Sequence, residues 1–490
     1  MEISFLTATA AITFIVFLLY KGVIYPVFLS PLSKIPNAHW TASISPAWII
    51  WKRFQSQNNR TIHAAHERLG PIVRLGPSEI SINCVEGGIK PVYTGGFEKH
   101  EWYPRVFGSF GTVSMFTMTG SKAHSTRKRM LSNIYSKSFL QSSPHLRLIS
   151  KTVIFDRLLP ILHSAATSNR SVDIHDLNQG LTMDFVSAYL FGLSNGTNFL
   201  QNETYRREML RLYQCRKPFE FYHQEVPDLI TWLKAIGIRL IPKCHIKAEP
   251  ATNRQPESER RIPLPTRLDI ACELYDHLTA GHETSAVVLT YLFWELSRHP
   301  DTQIALREEL LTLEPTITYP PPNPPSQDGS SLPSSKSIDS LPLLEAILTE
   351  TLRLHASIPG IQPRVTPFPG CTLAGFPNIL PNTRVNAQAY SLHRNAEVYP
   401  EPESWEPKRW LRDGNSEAEL EERKRWFWAF GSGGRMCVGS NLAVQEMKLA
   451  VAAIYTNFRT TVVDDEGIEA IDAYTVKPRG EKLILKFKRV

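Results

Sequence analysis

A glycine-rich loop with a single cysteine, directly before a helical pattern, constrains this chain more than any other segment. It reads Phe430-Gly-Ser-Gly-Gly-Arg-Met-Cys437-Val-Gly439, and apolar residues then recur at helical spacing from Leu442 to Phe458. Glycines let the backbone come close to a flat ligand and leave N–H groups free to point at sulfur. A helix N-terminus favours a nearby anion such as a thiolate. The segment therefore predicts one thiol presented at the start of a helix.

Cys437 in this setting has two interpretations. A single thiolate is what an iron porphyrin needs as its axial ligand, and Arg435 can hold a carboxylate of such a ligand. The alternative is a small buried residue, which is how most lone cysteines behave. The six cysteines of the chain are scattered and include no Cys-x-x-Cys pair. This spacing argues against a zinc site and a disulfide scaffold, and it favours a reducing compartment with one special thiol.

The loop resembles the haem-binding signature of the cytochrome P450 monooxygenases, Phe-x-x-Gly-x-Arg-x-Cys-x-Gly. Its fixed positions are met by Phe430, Gly433, Arg435, Cys437 and Gly439. The resemblance implies a mainly α protein with the cytochrome P450 fold, in which a helical haem domain carries small β-sheets. It implies haem b (iron protoporphyrin IX) with iron held by Cys437, and cofactor contacts from Phe430 and from the adjacent Gly431.

A second motif, Ala280-Gly-His-Glu-Thr-Ser285, lies inside a helix predicted from Asp269 to His299. A mid-helix glycine costs about 1 kcal/mol relative to alanine, so either packing or a local distortion should offset it. A threonine hydroxyl can take up a carbonyl freed by such a distortion, and an acid beside an alcohol can relay protons. The motif resembles the oxygen-binding helix of the same family. That resemblance implies catalytic roles for Thr284, which would hold the oxygen species, and for Glu283, which would supply protons.

Glu350 and Arg353 place opposite charges on one face of a helix predicted from about Ser340 to Leu354. If exposed, such a pair contributes little; if buried, it must be fully hydrogen-bonded. The family has Glu-x-x-Arg here, completed by a later arginine that corresponds to Arg409. The resemblance therefore implies a structural triad that supports the cysteine loop.

The two carboxylates of haem need basic partners, and the resemblance supplies four: Arg435, Arg364, His124 and Lys128. His124 and Lys128 are four residues apart and so share a helix face. Many relatives have tryptophan and arginine at these two positions. The neighbouring Arg127 and Arg129 are therefore alternative partners.

An uncharged, largely apolar run from Ile3 to Tyr20 is long enough to cross a bilayer. A cleaved signal peptide is the alternative, but no basic residue precedes the run and no small-residue cleavage site follows it. Basic residues follow it instead, beginning at Lys21, so the main domain should face the cytosol. We expect residues 1–30 to form a single-pass anchor in the endoplasmic reticulum membrane and residues 31–490 to form the cytosolic haem-thiolate catalytic domain.

The remaining pattern predicts mostly helix, a short hairpin over Ile72–Ile82, and minor sheet near residues 365–385 and at the C-terminal end. Proline-rich stretches predict loops over 245–265 and 315–338. The region from about Leu240 to Asp269 is shorter than in most relatives. Either the roof of the site is reduced or a piece of the chain is missing.

The predicted activity is insertion of one oxygen atom of O2 into a hydrophobic small molecule. Ser357–Ile361, Met115 and Phe116 are expected to line its pocket. The stretches Ser30–Pro36, Tyr390–Asn395 and Ala473–Pro478 resemble filamentous-fungal enzymes of secondary-metabolite biosynthesis. Two alternatives remain, a haem-thiolate isomerase or dehydratase and an inactive membrane-anchored haem protein.

No flavin or nicotinamide motif is present, so the electrons should come from an NADPH-dependent flavoprotein reductase, as the resemblance implies. Two basic clusters, 127–129 and 423–425, are hypothesised to steer an acidic surface of that partner. The formal net charge is +7, but the basic residues are not interleaved with aromatic residues as in a nucleic-acid module. Nucleic acid is therefore not expected as a partner.

Overall fold

Helices dominate the structure, a computed structural model that describes residues 2–214, 219–240, 264–321 and 332–490. The α-helices are α1 Glu2–Leu19, α2 Ala47–Phe54, α3 Asn58–Leu69, α4 Trp102–Phe107, α5 Ser121–Leu131, α6 Lys137–Ser142, α7 Pro144–Lys151, α8 Leu159–Thr167, α9 Ile174–Phe191, α10 Glu203–Gln214, α11 Glu220–Glu225, α12 Pro227–Ala235, α13 Leu264–Arg298, α14 Pro300–Leu310, α15 Ser335–Asp339, α16 Pro342–Leu354, α17 Ala389–Leu392, α18 Glu417–Trp426 and α19 Ser440–Asn457. Three π-helical segments cover Tyr20–Leu29, Val85–Thr94 and Thr152–Leu158, and 3-10 turns cover Pro31–Lys34, Pro407–Trp410 and Gly433–Arg435.

Small sheets complete the fold. The strands are β1 Ile72–Gly76, β2 Glu79–Ile82, β3 Val172–Asp173, β4 Arg364–Val365, β5 Cys371–Leu373, β6 Phe376–Ile379, β7 Arg384–Asn386, β8 Phe458–Asp464 and β9 Ile484–Arg489. They form sheets of order β1-β2-β7-β4, β3-β9-β8 and β5-β6. In the first sheet β1 pairs antiparallel with β2, with Ile72 opposite Ile82, and β2 pairs parallel with β7. The prediction of a hairpin over Ile72–Ile82 is confirmed.

The main core lies between α9, α13, α16 and α19. The middle of α19, from Met447 to Tyr455, is almost fully buried. Its apolar residues pack with those of α13 and α16 in one large cluster. A helix that is apolar on all sides belongs inside a helical domain. The helix directly after the cysteine loop is therefore a fixed support for that loop, and the prediction of a mainly α fold with small sheets is confirmed.

Two loops were predicted, over 245–265 and 315–338. The prediction that 315–338 forms a continuous loop is wrong, because Ser335–Asp339 forms a helix whose N-cap Ser334 accepts a hydrogen bond from the Ser337 N–H. Within it, residues 322–331 lie outside the described part of the chain. The same holds for 241–263, so the predicted loop at 245–265 and the two alternatives for the short region are not resolved by the structure.

One helical stretch within the described residues, Thr9–Leu29, is long and apolar enough to cross a membrane. Its apolar side chains are largely exposed, including Ile12, Phe14 and Phe17. An N-terminal signal sequence has the same character, so length and composition alone do not separate the two. The stretch is consistent with a membrane anchor.

Candidate functional site

The cysteine loop surrounds its thiol with donors. The Cys437 N–H donates to the Phe430 carbonyl at 2.9 Å, which closes the loop. Burial raises the pKa of the Cys437 thiol, although its residue keeps accessible surface; hydrogen bonds from the Gly439 and Ser440 N–H groups and the charge of Lys128 oppose that rise. These two N–H groups belong to the start of α19, where unpaired donors favour an anion. Two backbone donors and one cation therefore favour a thiolate at this sulfur, against the larger opposing effect of burial.

Gly433 is required by the protein around it. Its φ of +68° lies in the left-handed region, and a Cβ at this position would overlap the Tyr93 carbonyl. Nothing lies within 4 Å of the corresponding position at Gly434 or Gly439. Close approach to the π-helical segment Val85–Thr94 therefore requires a glycine at position 433, while the expected close approach of the glycines to a flat ligand stays a prediction.

The predicted triad is present and completely buried. The Arg353 Nη2 and Arg409 Nε atoms lie 2.8 Å and 2.9 Å from Glu350 Oε1, and the Glu350 and Arg353 side chains are 0% exposed. The Trp410 indole N–H and the Glu406 N–H also donate to Glu350, at 2.8 Å and 2.9 Å. The buried Glu350 carboxylate is therefore hydrogen-bonded on both oxygens, as a buried ion pair requires. The alternative of an exposed, weak ion pair is excluded.

His393 connects this triad to the cysteine loop. Its Nε2 accepts from the Trp428 N–H at 2.8 Å, so Nδ1 carries the hydrogen and donates to the Arg353 carbonyl at 2.8 Å. The Arg353 guanidinium in turn donates to the His393 carbonyl at 2.9 Å. Burial and the charge of Arg353 lower the pKa of His393 to about 3, which keeps the imidazole neutral. Trp428 lies two residues before Phe430, so the loop is tied directly to α16.

Basic groups from four segments converge beside the loop. They are Lys99, His124, Lys128, Arg364 and Arg435, and their charges act on one another. Burial, followed by the charges of Arg435, Lys99, Lys128 and Arg364, lowers the pKa of His124 to about 3. Burial and the charge of Arg364 lower the pKa of Arg435 to about 10. This cluster, the cation cluster, requires an anion to offset its mutual repulsion.

The cation cluster fits a ligand with two carboxylates. The Arg364 side chain is buried, and its Nε has no hydrogen-bond partner among the described residues. Glu98 is a carboxylate beside the cluster, but its Oε2 lies 3.4 Å from the Arg435 Nη2 and its side chain is half exposed. A thiol that faces two backbone N–H donors, next to arginine and lysine side chains, is the donor set that haem b needs.

The contacts of the individual cations refine the predicted partners. Lys128 donates to the Gly434 and Met436 carbonyls at 3.0 Å and 2.8 Å, so it also braces the cysteine loop. Arg435 donates to the Met118 and Thr119 carbonyls, both at 2.6 Å. The alternative partner Arg127 is instead paired with Glu273 at 3.1 Å.

Helix α13 carries the second motif without a break. The Thr284 hydroxyl donates to the Ala280 carbonyl at 2.7 Å, and Glu283 accepts from the Tyr213 hydroxyl at 2.9 Å. A Cβ on Gly281 would lie 2.7 Å from Val186 Cγ2 on α9. Packing between α13 and α9 therefore accounts for this glycine, which was the alternative to a distorted helix.

Tyr135 joins α13 to the cysteine loop. Its hydroxyl lies 2.6 Å from His277 Nδ1, one turn before the motif. Its pKa is raised by burial and also by the negative charge that Cys437 would carry, so the two side chains are close. The motif helix and the thiol therefore border the same region.

The expected pocket residues meet in an aromatic cluster. Phe116 and Ile358 pack against Trp102, Tyr103 and Tyr474, and Met115 is buried. The Val476 N–H donates to the Ser357 carbonyl at 3.0 Å, which holds the 357–361 segment against the C-terminal region. The two predicted parts of the pocket lining, 357–361 and 115–116, thus both adjoin the region around Tyr474.

Comparison with known proteins agrees with this geometry. The family model "Cytochrome P450" matches residues 242–485. A cytochrome P450 monooxygenase, avaI, of Aspergillus versicolor is 30% identical over 413 residues, covering 79% of this chain and 94% of that protein. The chain belongs to the cytochrome P450 family. The Aspergillus niger monooxygenase orf2 is 26% identical over 95% of each chain, and tryprostatin B 6-hydroxylase of Aspergillus fumigatus is 26% identical over 94% of this chain and 81% of that protein.

Family membership makes the protein an oxidoreductase of haem-thiolate type, as predicted, and its relatives are fungal secondary-metabolite P450 monooxygenases. Sequence reasoning missed the roles of three buried polar residues of this P450, Lys99, His393 and Glu446, and of the partly accessible Asp276. His393 lies in the stretch Tyr390–Asn395, which was noted only for its resemblance to fungal enzymes. Glu446 does leave a signal, because it is a lone acid in the apolar stretch of α19.

Proposed function

We propose that this P450 inserts one atom of O2 into a hydrophobic small molecule in fungal secondary-metabolite biosynthesis. The observation that carries the proposal is the Cys437 thiol, which faces the N–H groups of Gly439 and Ser440 beside an unneutralised cation cluster. The named hydroxylase and monooxygenases among the relatives support this reaction class.

We propose that Cys437 holds the iron of haem b. In the same proposal Arg435, Arg364, His124 and Lys128 hold its two carboxylates, Lys99 is a fifth basic group beside them, and Phe430 and Gly431 contact the ring. The carboxylates would offset the repulsion that lowers the pKa values of His124 and Arg435. Bound haem supplies the activation of O2, in which two electrons and two protons are used, one oxygen enters the substrate and the other leaves as water.

The chain's own residues would deliver the protons. The Glu283 carboxylate is positioned by the Tyr213 hydroxyl, and the neighbouring Thr284 hydroxyl has its donor directed to the Ala280 carbonyl. We propose that Glu283 takes protons from solvent at its carboxylate oxygen. Thr284 passes them on at Oγ1 when its hydroxyl turns away from Ala280.

We propose that an NADPH-dependent flavoprotein reductase supplies the electrons. The hypothesis of two steering clusters is corrected in part, because Arg423 is buried and donates to the Arg409 carbonyl at 2.6 Å. Lys424 and Arg425 are exposed, but each is paired with a glutamate. Arg129, which is exposed, remains the candidate for steering on the α5 side.

We propose that residues 1–30 anchor the P450 in the endoplasmic reticulum membrane, with residues 31–490 as the cytosolic catalytic domain. Two exposed tryptophans, Trp51 at 56% and Trp232 at 61%, support contact with a membrane interface, where this residue type is enriched. The Arg53–Glu225 ion pair at 2.7 Å and the Phe54–Phe221 ring contact hold α2 and α11 on one face.

The test is the absorption spectrum of the reduced, CO-bound protein. A thiolate-bound haem gives a characteristic red-shifted Soret band. We expect this band in the wild-type protein and in a Cys371→Ala control, and its loss in Cys437→Ala. A normal band in folded Cys437→Ala would refute the ligand assignment. Consumption of O2 and NADPH with added reductase then separates a monooxygenase from an isomerase or dehydratase.

A further inference from the structure

A carboxylate near the cysteine loop has no role in the mechanism above. Asp276 lies on α13, one turn before Ala280 and two turns before Thr284, so the three residues share a helix face. Ala280 is exposed and Thr284 is partly exposed inside the domain, which shows that this face borders open space. Asp276 itself is partly accessible although protein surrounds it, and burial is the main influence on its ionisation.

The two acids that precede Asp276 on α13 each hold a partner on another segment. Asp269 accepts from the Thr112 hydroxyl. Glu273 accepts from the Met115 N–H at 3.0 Å and pairs with Arg127 at 3.1 Å. Asp276 forms no ion pair with any residue that the structure describes. The Ser114 hydroxyl is the hydrogen-bond partner that acts on its carboxylate.

The other charges near Asp276 are already engaged. His277 bonds to Tyr135, and Glu273 adds a second negative charge. The amino group of Lys99 donates to the Phe116 carbonyl at 2.5 Å and lies 4.1 Å from the centres of the Tyr103 and Phe116 rings. Burial, followed by the charges of Arg364 and Arg435, lowers the pKa of Lys99 well below its usual range, so Lys99 is a poor counter-ion for Asp276.

Burial raises the pKa of Asp276 to about 6. The group is therefore largely ionised at neutral pH, although none of the described residues forms an ion pair with it. A buried anion in this state is stabilised strongly by a cation that reaches it.

Aromatic rings stand close to this carboxylate. The segment 112–116 runs along α13, because the Thr112 hydroxyl donates to Asp269 and the Met115 N–H donates to Glu273, and it brings Phe116 to the part of this helix that carries Asp276. Phe116 packs edge-on against Phe107 at a ring-centre distance of 5.2 Å, and Phe107 lies tilted against Tyr474 at 5.4 Å. Phe116 and Ile358 continue the same apolar cluster. Carboxylate and aromatic rings together form the environment that recognises an organic ammonium group.

We propose that Asp276 is a substrate-binding residue and that the substrate carries a basic nitrogen, protonated at neutral pH, on an apolar scaffold. The ammonium group would lie against Asp276 while the apolar part lies against the aromatic cluster. The proposal rests on the proposed function, because it places the substrate in the same pocket. The competing interpretation is structural: Asp276 would only hold Ser114 and the loop around it.

The test uses two probes of equal shape and measures binding by equilibrium dialysis of the haem-loaded protein. One is trimethyl(phenylbutyl)ammonium, whose quaternary nitrogen has no lone pair and so cannot bind iron. The other is its all-carbon isostere, in which a quaternary carbon replaces the nitrogen. We expect the wild-type protein to bind the ammonium at least about tenfold more tightly, as an unscreened buried charge pair requires.

Asp276→Asn should abolish this preference and leave the affinity for the isostere unchanged. Asp269→Asn, a matched change on the same helix, should leave the preference intact. Asp276→Ser, which keeps a hydrogen bond to Ser114, replaces the asparagine variant if that variant does not fold. Equal weakening of both probes in the Asp276 variant would establish the structural role and overturn the proposal, as would absence of a preference in the wild-type protein.

The CO-bound spectrum keeps this outcome separate from the proposed function. A thiolate-type spectrum without ammonium preference refutes the role of Asp276 alone. A wild-type protein that lacks the spectrum refutes the proposed function, and the dialysis result still reports on Asp276.

Discussion

Glu446 gives the sharpest prediction, because a buried acid without a cation must change the pH dependence of stability. The residue is 6% exposed in α19, and burial raises its pKa from 4.5 to about 8, with a hydrogen bond to Ser285 opposing the rise. The folded protein therefore keeps a proton on Glu446 that the unfolded chain releases near pH 4.5. Unfolding releases this proton between these two pH values, so stability is present at low pH and is lost as pH rises toward 8.

The size of the effect follows from the two pKa values. Each pH unit inside the window changes the free energy of unfolding by about 1.4 kcal/mol. At pH 7 the accumulated loss is about 3 kcal/mol, and at pH 5 it is about 1 kcal/mol. Glu446→Gln removes the titration and keeps a neutral, similarly shaped group. The variant should therefore be more stable than the wild type at pH 7 by about 2 kcal/mol, allowing about 1 kcal/mol for a poorer hydrogen bond.

The assay is urea unfolding of the haem-loaded protein at several pH values from 5 to 8, followed by tryptophan fluorescence. The stability difference between Glu446→Gln and wild type should grow with pH. Glu421→Gln changes an exposed carboxylate and should show no such trend. A constant difference across the range, or a variant that loses stability relative to wild type as pH rises, would refute the reasoning.

Three further changes test the packing and the support of the loop. Gly281→Ala should destabilise the folded protein by about 1–3 kcal/mol, because its Cβ meets Val186 Cγ2 at 2.7 Å, and adding Val186→Ala should restore much of this in a thermal melt. Arg409→Ala leaves the buried Glu350 with one fewer cation and should cost about 3–5 kcal/mol, measured by urea unfolding, with loss of haem during purification. His393→Ala should broaden or shift the CO-bound spectrum more than it lowers the melting temperature, because it releases the cysteine loop; an unchanged spectrum would contradict that role.

The sequence predicted those parts of the site whose residues lie close together along the chain. In the loop at 430–439 and in the Glu350–Arg353 pair, the interacting residues are only a few positions apart. Their chemistry could therefore be inferred before any contact was known. Lys99 and Asp276 could not be found this way. Each becomes important because distant segments bury it, and no local pattern records that burial.

The error at Arg423 has a similar cause with a visible signal. A run of basic residues reads as an exposed patch, but Leu420 and Arg423 are three apart and both face inward on α18. The helical spacing would have separated Arg423 from its two neighbours. Gly281 shows the opposite case: the motif was recognised, but the reason for its glycine depended on a side chain of α9.

The imidazole of His393 acts as a spacer of fixed length between two points of the backbone, the Arg353 carbonyl and the Trp428 N–H. The segment 394–427 connects His393 to Trp428, so the hydrogen bond between these two residues closes the segment into a loop. Its exposed turn at Gly414 lies well outside the bridged points. Insertions at that turn should therefore leave the thiol in place, which makes it a site for a fluorescent tag or an affinity tag that reports on the protein without altering its spectrum.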